Sequence, residues 1–262
     1  MCFDLDSRPP IIPIAGGALD SSELVLDAAD GNRFRAFRAR ASTANGAGIV
    51  ILPDVRGLHP YYEELALRFA ESGVDALAID YFGRTAGLGS REHGFDYMPH
   101  VNQSTWGAVS ADIRAAADHL RMSDEGRVTA LFTVGFCFGG RLAFLSSTLG
   151  LGLAGAIGFY GIPAGPGRND IPAPIDVVDQ FANPVLGLFG GADPAVPAET
   201  IAAFEEALTK AGIDHRLITY DGAPHSFFDR KADEFAEASA KAWQETLTFI
   251  RGHTPSPIAG GA

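Results

Sequence analysis

Hydrophobic residues follow two kinds of pattern along this 262-residue chain. Short runs that are apolar throughout, such as Gly48–Leu52, predict strands that are buried on both faces of a sheet. Longer stretches with apolar residues every three or four positions, such as Trp106–Arg121, predict amphipathic helices. The predicted strands are Glu23–Ala28, Phe34–Ala39, Gly48–Leu52, Ala76–Asp80, Val128–Phe136, Ala154–Tyr160, Val185–Phe189 and Arg216–Tyr220. The predicted helices are Tyr62–Glu71, Trp106–Arg121, Phe138–Thr148, Pro197–Lys210 and Asp233–Ile250.

The alternation of strands and helices predicts an α/β fold, in which a mostly parallel central sheet carries helices on both faces. The first two strands are an exception, because the turn signal Asp30-Gly31-Asn32 predicts an antiparallel pair. No repeat or linker divides the chain, so we expect one domain over residues 1–262. We also expect an extended N-terminal arm (1–22), a lid loop (84–104) that carries three glycines and no clear periodicity, and a flexible tail (254–262).

The charge and the N-terminal sequence narrow the range of binding partners and locations that we expect for the protein. A formal net charge of −12 argues against nucleic acids and anionic membranes, since both attract basic surfaces. No run of 18 apolar residues suggests a membrane span, and the acidic, proline-rich N-terminus does not resemble a signal peptide. We therefore expect a cytoplasmic protein, a monomer or homodimer, that binds a small molecule.

The segment Gly135-Phe136-Cys137-Phe138-Gly139-Gly140 joins a predicted strand to a predicted helix. It has the form of a nucleophile elbow, with cysteine in the place of the more usual serine. The tight turn requires small flanking residues, and the helix N-terminus stabilises negative charge on the nucleophile. The backbone N–H of Phe138 is expected to bind an oxyanion. The alternative for Cys137 is a small buried hydrophobic residue.

A thiol nucleophile needs a base, and the base needs a carboxylate that orients it. In folds with such an elbow, the chain order is nucleophile, acid, histidine. His225 follows the last predicted strand, and Asp193 follows the strand before it. Asp221 and Asp229 are the weaker candidates for the acid, and Asp193 could instead cap a helix. His93 and His100 lie in the predicted lid without ligand spacing, so we expect no metal.

The segments GFCFGG, FGGADPAVP and GAPHSF, in this order, resemble the dienelactone hydrolase (carboxymethylenebutenolidase) family of the α/β-hydrolase superfamily. The resemblance extends over about residues 24–250. It implies an α/β-hydrolase fold and a triad of Cys137, His225 and Asp193. It also implies hydrolysis of a lactone or ester through a thioester, without metal or other cofactor.

The same resemblance suggests roles for further residues. Asp54 stands where the family has a glutamate near the thiol, although a turn cap is the alternative. The Val55 N–H corresponds to the second oxyanion donor, and Tyr160 corresponds to a tyrosine on the active-site side. Arg84 matches the first substrate-binding arginine, with an ordinary ion pair as the alternative.

The second substrate-binding arginine of the family lies four residues after the histidine. Here that position is Asp229, and Arg230 follows it. This departure weakens the expectation that dienelactone itself is the substrate, and favours a small ester or lactone, with or without a carboxylate.

Two other functions stay open on the sequence alone. The chain could be a non-catalytic binding protein of the same fold, although an intact triad argues against it. It could also be a thiol redox sensor built on Cys137. Such sensors usually pair with a resolving thiol, and Cys2 is the one other cysteine.

Overall fold

The computed structural model describes residues 7–91, 94–122, 127–167 and 169–255 of the chain. Within these ranges, eight strands form one sheet in the order β1-β2-β4-β3-β5-β6-β7-β8. The strands are β1 (Ala18–Asp27), β2 (Arg33–Ala41), β3 (Ala47–Leu52), β4 (Asp75–Ile79), β5 (Ala130–Phe136), β6 (Gly155–Phe159), β7 (Val185–Gly190) and β8 (His215–Tyr220).

Strand direction follows the prediction. β2 is antiparallel to both β1 and β4, and the pairs from β4 through β8 are parallel. The β1–β2 turn forms where Asp30-Gly31-Asn32 predicts it. Gly31 adopts a φ of 85°, and the Asn32 N–H donates to Asp30 Oδ1. Because β3 and β5–β8 are mutually parallel, their carboxyl ends meet at one edge of the sheet, where the predicted site residues follow them.

Helices cover both faces of the sheet. They are α1 (Pro60–Glu71), α2 (Gly83–Ala86), α3 (Met98–Gln103), α4 (Trp106–Met122), α5 (Phe138–Ser146), α6 (Ala198–Ala211) and α7 (Ala236–His253), with a 3₁₀ helix at Pro174–Gln180. In β3, Ile49 and Ile51 pack in the core beneath α1 and α7. Val50 and Leu52 point to the opposite face, under α4 and α5. No helix in the described ranges is both long enough and apolar enough to cross a membrane.

The structure corrects two boundaries and agrees with the predicted start of the tail at residue 254. β1 begins at Ala18, so the irregular arm is shorter than the predicted 1–22, and residues 1–6 lie outside the described part. The predicted lid loop is not irregular throughout, because α2 and α3 lie within or overlap residues 84–104. The tail follows α7, which ends at His253, and residues 256–262 lie outside the described part.

Candidate active site

The turn between β5 and α5 has the geometry of an elbow. Cys137 adopts φ 55° and ψ −114°, a strained conformation for a residue with a side chain. A Cβ atom on Gly135 would lie 1.9 Å from the Gly139 carbonyl oxygen, and one on Gly139 would lie 2.1 Å from the Leu52 oxygen. Both glycines are therefore required by close backbone approach. The predicted strand–turn–helix at Cys137 is confirmed.

His225 and Asp193 are held together at the ends of the last two strands. His225 Nδ1 lies 2.6 Å from Asp193 Oδ2, and the Asp193 side chain is fully buried. The other carboxylate oxygen accepts a hydrogen bond from the Ala195 N–H at 2.8 Å, which fixes the carboxylate plane. The imidazole keeps 22% exposure. A buried acid thus orients a histidine that still faces solvent on one side.

Backbone contacts between the acid loop and the histidine loop support this pair. The Gly191 N–H donates to the Tyr220 oxygen at 2.8 Å, and the Ala192 N–H donates to the Ala223 oxygen at 2.9 Å. A Cβ atom on Gly190 would lie 2.4 Å from the Ala223 oxygen, so glycine is needed at this close approach. The glycines before Asp193 therefore allow its loop to reach the loop of His225.

Tyr160 lies between the cysteine side and the histidine side of the site. It follows β6, is fully buried, and has a φ of 40°. Its ring centroid lies 4.9 Å from that of His225 and 6.3 Å from that of Phe136, the residue before Cys137. Its hydroxyl donates to Asp229 Oδ2 at 3.1 Å.

Two buried carboxyls lie behind these residues. Asp54 is fully buried, and its Oδ1 accepts a hydrogen bond from the Arg56 N–H at 2.8 Å, as expected for a turn cap. Asp229 is also buried, and burial together with the charge of Asp54 raises the pKa of Asp229 to about 8. The hydrogen bond to Arg56 favours the turn-cap alternative for one oxygen of Asp54.

A cavity of about 270 Å³ opens beside the elbow. Its lining combines the predicted oxyanion residues with an apolar wall and one basic residue: Val55, Cys137, Phe138, Arg141, Ile162, Pro166 and Ile171. Phe138 is the first residue of α5, and a first-turn N–H has no partner within its own helix. The cavity therefore brings the elbow cysteine and both predicted oxyanion residues to one surface.

Comparison with known proteins decides the family. A sequence profile of the dienelactone hydrolase family matches residues 34–254, most of the chain. The chain belongs to the dienelactone hydrolase family.

Relatives in this family are similar over most of their length. A Yersinia pestis protein named provisionally as a carboxymethylenebutenolidase is 29% identical over 215 residues, 80% of this chain and 79% of that one. A Bradyrhizobium protein named provisionally as a 2-oxo-3-(5-oxofuran-2-ylidene)propanoate lactonase is 28% identical over 78% of this chain and 83% of its own. A Klebsiella pneumoniae structure, titled provisionally as a dienelactone hydrolase, has 26% identity and a TM-score of 0.76, covering 88% of this chain and 99% of that one. The predicted α/β-hydrolase fold is confirmed.

Arg84 does not reach the cavity of this family member. Its guanidinium pairs with Asp30 (Nη1–Oδ2, 2.5 Å) and with the buried Asp112 (Nη2–Oδ1, 2.9 Å), and it donates to the Ala108 oxygen. All of its nitrogens are thus used by protein acceptors. The structure favours the ion-pair alternative over the predicted role as a substrate anchor.

Residues 84–104 were predicted to form a lid over the site. In the part of the chain that the structure describes, no residue of 84–104 lines the cavity, whose outer wall comes from Ile162, Pro166 and Ile171. His93 lies outside the described residues, and His100 stacks on Phe95 at 5.0 Å. Across the described ranges, no group of three or more His, Cys, Asp or Glu side chains is arranged to hold a metal ion.

Four lining residues were not predicted from the sequence, and Arg141 is the charged one among them. Its position four residues after Cys137 is the signal that could have identified it, because the first turn of the helix after an elbow lies next to the nucleophile, and here the Arg141 N–H donates to the Cys137 oxygen. The apolar wall carried no comparable signal, since its residues come from an irregular segment.

Proposed function

We propose that this dienelactone hydrolase family member cleaves an ester or lactone through a thioester formed on Cys137. The observation that carries the proposal is the 2.6 Å hydrogen bond between His225 Nδ1 and Asp193 Oδ2, at the sheet edge where the Cys137 elbow also lies. An oriented histidine beside a strained elbow cysteine supports nucleophilic catalysis.

In the acylation step, Cys137 Sγ attacks the carbonyl carbon of the substrate while the thiol proton passes to His225 Nε2. The carbonyl π electrons move to oxygen, and the N–H groups of Phe138 and Val55 stabilise the resulting oxyanion. When the tetrahedral intermediate collapses, the carbon–oxygen bond to the alcohol breaks. His225 gives its proton to that oxygen, and a thioester remains on Cys137.

In the deacylation step, a water molecule attacks the thioester carbonyl and gives a proton to His225. Collapse of the second oxyanion breaks the carbon–sulfur bond, and the proton returns to sulfur. Asp193 stabilises the imidazolium that forms in each step. The products are a carboxylic acid and an alcohol, or one hydroxy acid when the substrate is a lactone.

The substrate class follows from the shape and charge of the site. The cavity suits a small molecule with an apolar body, because most of its lining is aliphatic or aromatic. The Bradyrhizobium relative is named for a lactone that carries a propanoate group. By analogy we propose a small lactone or ester, with carboxylate-bearing ones among the substrates.

The test is hydrolysis of a panel of aryl esters and lactones by three variants. We expect Cys137→Ala to lower kcat/KM by about 10⁴-fold or more, and Asp193→Asn by about 10²–10⁴-fold, with the fold retained by circular dichroism. Cys2→Ala is the matched control and should keep the wild-type rate. Wild-type turnover by Cys137→Ala would refute the proposed function.

A further inference from the structure

Arg141 is a buried cation one turn into helix α5. Its N–H donates to the Cys137 oxygen at 3.2 Å, which places it four residues after the nucleophile in an α-helical turn. The Arg141 side chain lines the same cavity as Cys137, whose own backbone is not helical (φ 55°, ψ −114°).

Two backbone carbonyls hold the guanidinium in place. Arg141 Nε and Nη2 donate to the Pro172 oxygen at 3.1 and 2.9 Å, and Nη2 also lies 3.3 Å from the Gly165 oxygen. These acceptors fix the orientation of the planar group and leave Nη1 without a hydrogen bond to any described residue. A fixed guanidinium loses little conformational freedom when it binds a ligand.

The charge of Arg141 lacks a close partner within the described residues. No carboxylate there lies within 4.0 Å of its guanidinium, although Asp176 acts on it from a longer distance. The residue is only 7% exposed, and burial lowers the pKa of the guanidinium. A buried cation held by neutral carbonyls gains most from an anion that enters the cavity.

We propose that Arg141 is a specificity-determining residue that binds a carboxylate of the substrate while Cys137 attacks the ester or lactone carbonyl. This inference rests on the proposed function and assigns the carboxylate contact to Arg141 rather than to Arg84. The rest of the lining is apolar, so the preferred substrate has an apolar body between the two groups. Its carboxylate and its scissile carbonyl both lie within the one cavity of about 270 Å³ that the two residues line, which limits their separation to a few bonds.

The experiment compares substrates that differ in charge and match in shape. The acyl-side pair is the phenyl monoester of glutaric acid and phenyl 5-methylhexanoate. The alcohol-side pair is 3-carboxyphenyl acetate and 3-isopropylphenyl acetate. For each pair, the ratio of kcat/KM for the anionic ester to that for the neutral one is measured after correction for uncatalysed hydrolysis.

Three variants are compared with the wild type. Arg141→Gln should lower the anionic-to-neutral ratio of at least one pair by about tenfold to a hundredfold, mainly through KM, and Arg141→Lys should keep part of the preference. Arg121→Gln is the matched control, because Arg121 also donates to loop carbonyls, those of Leu151 and Gly152, and lies outside the cavity lining. It should leave the ratio at the wild-type value.

Inhibition by a carboxylate that is not itself a substrate is measured beside the kinetics. Glutarate should inhibit neutral-ester hydrolysis by the wild type, and Arg141→Gln should weaken this inhibition by about tenfold or more. Equal losses for charged and neutral substrates, or unchanged inhibition by glutarate, would overturn the inference and make Arg141 a support for the cavity wall. If Cys137→Ala also abolishes turnover in that case, the proposed function still stands. Turnover that survives in Cys137→Ala refutes the proposed function itself.

Discussion

Asp229 is a buried carboxyl beside the proposed catalytic histidine. Tyr160 Oη and the Arg230 N–H both donate to it, yet desolvation dominates and raises the pKa of Asp229 to about 8. At neutral pH the group is therefore largely protonated. A protonated Asp229 thereby avoids the repulsion that the charge of Asp54 exerts on its ionised form.

The raised pKa of Asp229 predicts a pH-dependent stability. An unfolded aspartate has a pKa of about 3.9, so between about pH 4 and pH 8 the native state keeps a proton that the unfolded state has released. The contribution of this proton to the unfolding free energy is complete below about pH 4. It decreases as the pH rises and is lost above about pH 8. Asp229→Asn, which cannot ionise, should match the wild type near pH 4. It should become more stable than the wild type by pH 9, by on the order of several kcal/mol.

Urea unfolding at pH 4, 7 and 9 measures this difference in unfolding free energy. Asp221→Asn removes a carboxylate from the exposed part of the same loop and serves as the control. A gap between Asp229→Asn and wild type that stays constant over this pH range would contradict the assignment of a raised pKa to Asp229.

At the scale of elements, the elbow depends on how closely helix α5 approaches the loop after β3. A Cβ atom at position 139 would lie 2.1 Å from the Leu52 oxygen and 2.2 Å from the Pro53 oxygen, both backbone atoms. Gly139→Ala must therefore push α5 away from β3. We expect a loss of about 1–3 kcal/mol or more in unfolding free energy, and a loss of activity as the Phe138 and Val55 N–H groups separate.

Gly107→Ala provides the matched control for this prediction. Gly107 lies in helix α4, and a Cβ atom there meets nothing within 4 Å. Alanine favours helix, so this variant should gain up to about 1 kcal/mol. Denaturant unfolding of both variants is the measurement. Similar effects at the two positions would show that close packing at the elbow is not what requires glycine.

The sequence predicted elements wherever burial gave a clear pattern. β3, β4 and β7 are buried along their whole length, and their continuous apolar runs were found to within one residue. The start of β1 was missed, because this part of the edge strand carries polar residues at exposed and half-buried positions alike, such as Ser21 and Ser22, and so shows no apolar alternation in the sequence. The short helix α3 was missed because six residues are too few to show a helical period.

The residues of the candidate site also divide into those that the local sequence pattern could predict and those that it could not. The positions of Cys137 at the elbow after β5, and of Asp193 and His225 in the loops after β7 and β8, could be predicted because each lies after a strand whose place in the fold can be recognised locally. The ion pairs of Arg84 could not be predicted, because its partners Asp30 and Asp112 are 54 and 28 residues away in sequence. Such ion pairs depend on the tertiary structure, which the local pattern does not contain.

At the scale of the whole molecule, parallel strand order brings distant segments to one edge of the sheet. β5, β7 and β8 supply the cysteine, the acid and the histidine in chain order, and β6 places Tyr160 among them. The formal net charge of −12 repels anions at long range, so an anionic substrate requires a local cation such as Arg141.

The central claim is that Cys137 carries the acyl group during turnover. Intact-protein mass spectrometry after rapid acid quench, with a slowly hydrolysed aryl ester as substrate, tests it most directly. We predict a mass increase equal to one acyl group, located by digestion to the peptide that contains Cys137, and its absence in Cys137→Ala. Steady hydrolysis without any acylated protein, or an acyl group on Cys2 instead, would contradict the account.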